Sequence, residues 1–284
     1  MSISDIARHL VKPAGSGDET DADLVRIELD LLPAAELEML RASGVRVLAC
    51  HGSVVDHRPD MADETPRGWP AGSTWKLVPG AYLPDDNAVA IATLPDPATG
   101  RRRIPPKGVM HSAWNLVLHE TMHADDYLEG QLRSHNPEFL AARTADLAAL
   151  DPYEQQEGAA GYEETYAESA ARAFGLDPRF PAAWPNLSRF WADRQMPIRP
   201  GRADRAIATG AEPVGTAEIE ESGAIRLDLR AQSASGAIGH ALVSLQPGDP
   251  LHADVARQLL ARRQRAASPR GVLLISPFPE RGTH

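Results

Sequence analysis

The spacing of apolar positions changes along this chain, and the changes mark out its elements. Residues 24–32 alternate and predict a strand. Residues 33–43, opened by Pro33 and closed by Gly44, predict a helix, and the apolar run 45–50 predicts a second strand. From 57 to 80 Pro, Gly and Asp dominate, so Trp69 and Trp75 read as packing anchors among turns. Residues 81–83 and 89–93 flank Pro84-Asp85-Asp86-Asn87 and predict a hairpin. After a loop over 95–107 the period becomes helical: Trp114, Val117, Leu118, Met122 and Leu128 recur at three or four residues, with few breakers before Gly130. Further helices are predicted over 137–150, 161–174 and 186–195. Gly175 and Pro178 stop the second of these, and Leu187, Phe190 and Trp191 form the buried side of the third.

Pro197, Pro200 and Gly201 mark a boundary. Beyond it, 216–229 and 237–245 predict strands, 251–263 a helix and 271–275 a last strand. The organisation expected is a loosely ordered N-terminal arm over 1–20, an α+β domain over 21–198, and a small separate α+β unit over 199–284.

Charge narrows the partners. Against 39 Asp and Glu the chain has 29 Lys and Arg, a net charge of −10. Phosphate contacts need a concentrated basic surface, so a nucleic-acid partner is not expected and a peptide or protein substrate is. Arg101-Arg102-Arg103, a short basic run, reads as a solvated loop. The single cysteine, Cys50, excludes an internal disulfide framework and thiolate zinc clusters, leaving His, Asp and Glu as ligands. No run of about 18 apolar residues appears, so no membrane span is expected. Residues 1–20 lack the apolar run of a signal peptide; a cytoplasmic location is the default, with export by another route left open.

The chemistry is concentrated in His119-Glu120-Thr121-Met122-His123. Residues four apart share a helix face, so both imidazoles can be aimed at one ion while Glu120 stands beside them. Zinc held by neutral imidazoles, with one position open, lowers the pKa of its water towards about 7, and an adjacent carboxylate can take the proton. Glu120 is the candidate base, and one Zn2+ per chain is the expected cofactor. A third ligand is needed, and 161–169 offers Glu164 and Glu168 on one helical face. One of them would touch the ion; a carboxylate one turn away is placed to accept the remaining N–H of a ligating histidine, the role assigned to Glu168. Asp126 shares the face of His119 and His123 and is expected to orient a ligand, while Asp125 faces elsewhere. His111 reads as a helix-start or surface residue. His9, His51, His57, His135, His240, His252 and His284 have no ligand spacing and read as structural or exposed.

His119-Glu120-Thr121-Met122-His123 with Asp125-Asp126-Tyr127 after it, and then Glu164-Thr165-Tyr166-Ala167-Glu168-Ser169, resembles the catalytic domain of the anthrax lethal factor and Pro-Pro endopeptidase family. The resemblance covers about 25–196 and says nothing of the tail. It implies zinc ligation by Glu164, support by Glu168, and a tyrosine before Glu164 that stabilises the oxyanion. Tyr153 is chosen for that role and Tyr162 is its competitor. Thr165 stands where the family has an aromatic residue and Ala170 where it has Phe. The family includes a toxin protease and proteases cutting between prolines, which leaves substrate and a toxin- or effector-like role open.

The expectation is therefore a zincin-like metallopeptidase domain with a small mixed sheet and an active-site helix, followed by the α+β tail. Its activity would be zinc-dependent hydrolysis of an internal peptide bond. Enzymes of this general architecture hold substrate against an edge strand, and Val89, Ala90, Ile91, Ala92 and Thr93 are expected to be that edge. The rival reading is a zinc-stabilised, inactive binding module, against which an intact Glu120 speaks.

Overall fold

The computed structural model describes residues 3–128, 132–192, 212–263, 272–275 and 277–278. Helix α1 (Ile3–Leu10) leads into β1 (Val11–Pro13), and α2 (Glu19–Leu29) and α3 (Ala34–Ala42) precede β2 (Arg46–His51). A turn-rich segment holding Trp69 and Trp75, both buried, leads to β3 (Gly80–Leu83), β4 (Ala88–Pro95) and the short β5 (Arg102–Arg103). Helices α4 (Leu116–Asp126), α5 (Pro137–Asp146), α6 (Gly158–Phe174), α7 (Phe180–Ala183) and α8 (Pro185–Ala192) follow. The tail supplies β6 (Gly215–Ile219), β7 (Ile225–Gln232), β8 (Ile238–Leu245), α9 (His252–Arg263) and β9 (Leu273–Ile275).

Two local readings of the N-terminal part are overturned. Residues 3–10 are helical, with Ile6, Ala7 and Leu10 buried in the main core, so this arm is packed. The expected strand over 24–32 falls largely within α2. A capping box explains why: the Asp18 carboxylate accepts from the N–H groups of Thr20 and Asp21, while Asp21 accepts from the N–H of Asp18. From that start, Asp21, Ala22, Val25 and Leu29 recur with helical spacing on the buried side.

The described strands form one nine-stranded mixed sheet in the order β1-β2-β4-β3-β8-β7-β6-β9, with β5 pairing the end of β4. Strands β1, β2 and β4 are parallel, and β3 runs antiparallel to β4. The hairpin expected around Pro84–Asp86 forms, turned by Asn87 in the left-handed region at φ 45°. The tail is joined to this sheet: β8 pairs antiparallel with β3, Gly80 opposite His240 and Ala81 opposite Gly239. Its residues 216–229 make two strands, because the chain reverses between Glu220 and Ala224 with Gly223 at φ 83°. The boundary read at Pro197, Pro200 and Gly201 lies outside the described residues.

Residues 89–93 are not an edge. Strand β4 is hydrogen-bonded to β2 on one side and β3 on the other. Its unbroken apolar run, Val89 to Ala92, is buried on both faces, as an inner strand requires. Alternation along the strands sends Tyr82, Val89 and Ile91 to the face covered by the helices. Ala81, Leu83 and Ala90 point to the opposite face, where Trp69, Trp75, Leu227, Leu229, Val255 and Leu259 make a second core. Helix α4 lies against the first face, close enough that a Cβ on Gly80 would fall 2.8 Å from Glu120 Cγ.

The helical register of α2 can be tested directly. A strand would put Ile27 and Leu29 on one face, whereas here Ile27 is 64% exposed and Leu29 fully buried. Leu29→Ala should lower the unfolding free energy by about 2–5 kcal/mol. Ile27→Ala should change it by less than about 0.5 kcal/mol. Urea unfolding of the two variants checks this; equal losses would restore the strand.

Candidate metal centre

Helices α4 and α6 cross with their chemistry-bearing faces together. Asn115 caps α4 by accepting from the N–H of Leu118 at 3.1 Å, and every residue from Leu116 to Asp126 is buried. His119 Nε2 lies 3.4 Å and His123 Nε2 3.6 Å from Glu164 Oε2 on α6. One ligand atom from each residue falls within 4.8 Å of the others. All three atoms are buried without a hydrogen-bond partner, and so are both oxygens of Glu120. Leaving polar atoms unmet away from water is costly. Two imidazole nitrogens and a carboxylate oxygen converging in this way fit a divalent cation.

The neighbours of these groups set their charge. Burial works against an ionised Glu164, but Arg230 first and then His123 outweigh it and hold the carboxyl well below its usual range. Arg230 reaches in from β7, donating through Nη1 to Glu164 and through Nη2 to Glu163. Burial keeps His123 below the ordinary histidine value and hence neutral, the form that ligates. For His119 burial is outweighed by Glu164 and Glu168, which raise it well above that value. Glu168 Oε2 stands 3.3 Å from His119 Nδ1, so an ionised Glu168 accepts a hydrogen bond from the Nδ1–H and leaves Nε2 facing the cluster. Arg172 Nε donates to Glu168 at 2.9 Å, and the Trp114 N–H donates to both of its oxygens at 3.2 and 3.1 Å. Against burial, the contacts to His119 and Arg172 bring Glu168 down to about 2. Glu120 has no such support, and burial pushes it up to about 7.

The other residues singled out in the sequence divide. Tyr153 lies beside the cluster, buried, its hydroxyl unpartnered and its ring stacked 4.9 Å from that of His240. Tyr162 faces away, edge-on to His135 at 5.4 Å with Arg143 over its ring. Asp126, expected to orient a ligand, instead accepts from the N–H of Ser134 at 2.6 Å and has no hydrogen bond to His119 or His123, whose own Nδ1 stays unpartnered. Its carboxylate is drawn to the free backbone donor of the following turn. Asp125 binds the Tyr166 hydroxyl at 2.6 Å and Arg133 at 3.0 Å. His111 is buried, bound to the carbonyl of Pro105 at 2.7 Å and lowered to about 4 by burial. Arg102, read as solvated, contacts the buried Asp21 and His51.

Sequence reasoning missed Arg230, Asp228 and His240. The His240 ring is 5.6 Å from that of His119, and its Nε2 contacts Asp228 and, at 3.1 Å, Ser112 Oγ. The available signal was the alternation Arg226, Asp228, Arg230, Gln232 along β7, which reads as a solvent face unless something covers it.

No family model matches the chain. It is 30% identical over 135 residues to a Pro-Pro endopeptidase of Paenibacillus alvei, a match spanning 46% of this chain and 56% of that protein. It is also 28% identical over 126 residues to a Pro-Pro endopeptidase of Clostridioides difficile, spanning 43% and 52%. The matches thus span about half the length of these curated relatives. Among solved structures, the Pro-Pro endopeptidase PPEP-2 of Paenibacillus alvei is similar with a TM-score of 0.54 and 25% identity, over 66% of this chain and 98% of that one. The likeness to the Pro-Pro endopeptidase family carried by the two helical motifs therefore extends to sequence and fold.

A cation held at this cluster would bind the native state in preference to the unfolded one and so would stabilise the fold. Zinc at about a hundred times its dissociation constant should add about 2.7 kcal/mol to unfolding. His119→Ala and Glu164→Ala should remove that gain, and Glu168→Gln should weaken zinc binding by about 10–100-fold without removing it. Thermal melts with and without zinc read all three; an undiminished shift in Glu164→Ala would place the ion elsewhere.

Proposed function

Starting from the likeness to the Pro-Pro endopeptidases, we propose that this chain is a zinc-dependent endopeptidase with a zincin-like catalytic domain. The observation that carries the reading is the convergence of His119 Nε2, His123 Nε2 and Glu164 Oε2 beside a Glu120 whose two oxygens are free. His119, His123 and Glu164 would hold one zinc ion. When bound, zinc would polarise a peptide carbonyl and lower the pKa of water towards about 7.

The protein's own groups supply the rest. Glu120, buried beside the cluster with both oxygens unpartnered, can take a proton from the attacking water and return it to the leaving amine. The missing side chain at Gly80 leaves room for the Glu120 side chain to pack against β3, where a Cβ would fall 2.8 Å from its Cγ. Glu168 fixes the ring of His119, and Arg172 and the Trp114 N–H fix Glu168. The Tyr153 hydroxyl has no partner to give up before it donates to a developing oxyanion. The names of the relatives suggest a proline-containing cleavage site. The inactive, zinc-stabilised binding module is the weaker reading, since a structural site has no use for a buried carboxylate with two free oxygens.

Zinc-loaded protein incubated with a peptide library should cut internal bonds, and a chelator should stop it. Glu120→Gln should keep its zinc while losing about 10²–10⁴ in kcat. Mass spectrometry of the products and metal analysis of both proteins are the measurements. Cleavage by Glu120→Gln at the rate of the unaltered protein would remove the proposed base.

A further inference from the structure

The strand that runs over the cluster is β3. Gly80 is seated on Glu120 and Leu116, with a virtual Cβ 2.8 and 2.9 Å from their side chains. One side of β3 is taken by β4. An extended peptide that adds to the sheet and delivers a carbonyl to His119, His123 and Glu164 must therefore use the other side of β3. That side is occupied by the chain itself: β8 lies there, antiparallel, pairing Ile238, Gly239 and His240 with Tyr82, Ala81 and Gly80.

We propose that β8 is a resident occupant of the peptide-binding edge, making the C-terminal strands a built-in competitive inhibitor that substrate displaces. The inference rests on the endopeptidase reading and adds the regulation of the same site. Three features of the fit support it.

The seat is close: a Cβ on Gly239 would fall 2.7 Å from the carbonyl oxygen of Gly80 and from Val78 Cγ1, and 3.0 Å from Ala81 Cβ. The residues flanking the seat cover the cluster. His240, opposite Gly80, spreads over His119 and Tyr153, and Arg230, opposite His240 on β7, clasps Glu163 and Glu164. With both in place His119, His123 and Glu164 are at most 1% exposed, which leaves no room for a peptide to lie across them. His240 stands outside the group of converging ligand atoms among the described residues, so it covers the ion site without joining it.

In backbone pairing the seam is also the shorter one, and the contacts of Arg230 to Glu163 and Glu164 are what hold the hairpin down over the cluster. Strand β8 shares three residue pairs with β3 but eight with β7, so the hairpin β7–β8 can lift from β3 without losing its own pairing.

Gly239→Val tests the seat without touching the catalytic residues. In the full chain, at equal zinc content, it should raise kcat/KM for a library peptide by on the order of tenfold or more, as expected when the competent state is a minor one. Amide exchange at residues 80–83 should rise with it. Equal rates in the two proteins would overturn the inhibitor and leave the endopeptidase standing. A folded, zinc-loaded but slower variant would also overturn it, making β8 part of the working site. If neither protein cuts any peptide although both hold zinc and the variant has lost its exchange protection, the endopeptidase reading itself fails. A second measurement needs no substitution: a peptide hydroxamate bound to the zinc-loaded native chain should increase amide exchange at residues 238–242. Exchange there that stays unchanged or falls on binding would mean that β8 is not displaced, and the proposal would be overturned.

Discussion

An ionised side chain carried into an apolar interior must meet an opposite charge, a dense set of donors or a metal ion, because its lost hydration costs several kcal/mol. Helices α4 and α6 take His119, Glu120, His123, Asp125, Asp126, Glu163, Glu164 and Glu168 into such an interior. Much of the molecule is arranged around meeting them. Arg133 and Tyr166 serve Asp125, Arg172 and Trp114 serve Glu168, and Arg230 serves Glu163 and Glu164. Among the atoms left without a partner are His119 Nε2, His123 Nε2 and Glu164 Oε2, which face one another, and both oxygens of Glu120.

The same demand reaches across the sequence. Arg230 lies 66 residues from Glu164, and its guanidinium is buried between the two glutamates it serves. Its place on β7 requires β8 beside it and β3 beside β8, so the tail continues the sheet of the first part. The other face of those strands packs Leu227, Leu229 and Ala231 into a second apolar core with Trp69 and Trp75. Burial of apolar surface on that face accompanies the charge pairing on the first, and both hold the tail over the cluster.

What could be read in advance followed the range of the interactions. The helices carrying His119, His123, Glu164 and Glu168 were legible because residues three and four apart meet on one face whatever surrounds them. The hairpin around Asn87 was legible because its turn chemistry is local. The segment that forms α2 reads as a strand because Val25, Ile27 and Leu29 alternate; helical spacing buries Val25 and Leu29 and leaves Ile27 exposed, and the capping box at Asp18 and Asp21 sets the helix start. Residues 89–93 read as an edge because they form the last strand read before the helix of His119, and order along the chain does not fix order in the sheet. Asp126 has the correct helical face, but its side chain turned to the open backbone donor at Ser134.

Sequence alone determined that two histidines and a glutamate on amphipathic helices could share an ion, and that a carboxylate would stand beside them, since helix geometry and side-chain chemistry are properties of a few adjacent residues. Tertiary structure decided the rest: which tyrosine borders the cluster, that Arg230 and His240 close over it, and that the second side of β3 is paired with β8. A strand shows the same alternation whether its polar face meets water or a buried carboxylate. Only the elements packed against it distinguish the two.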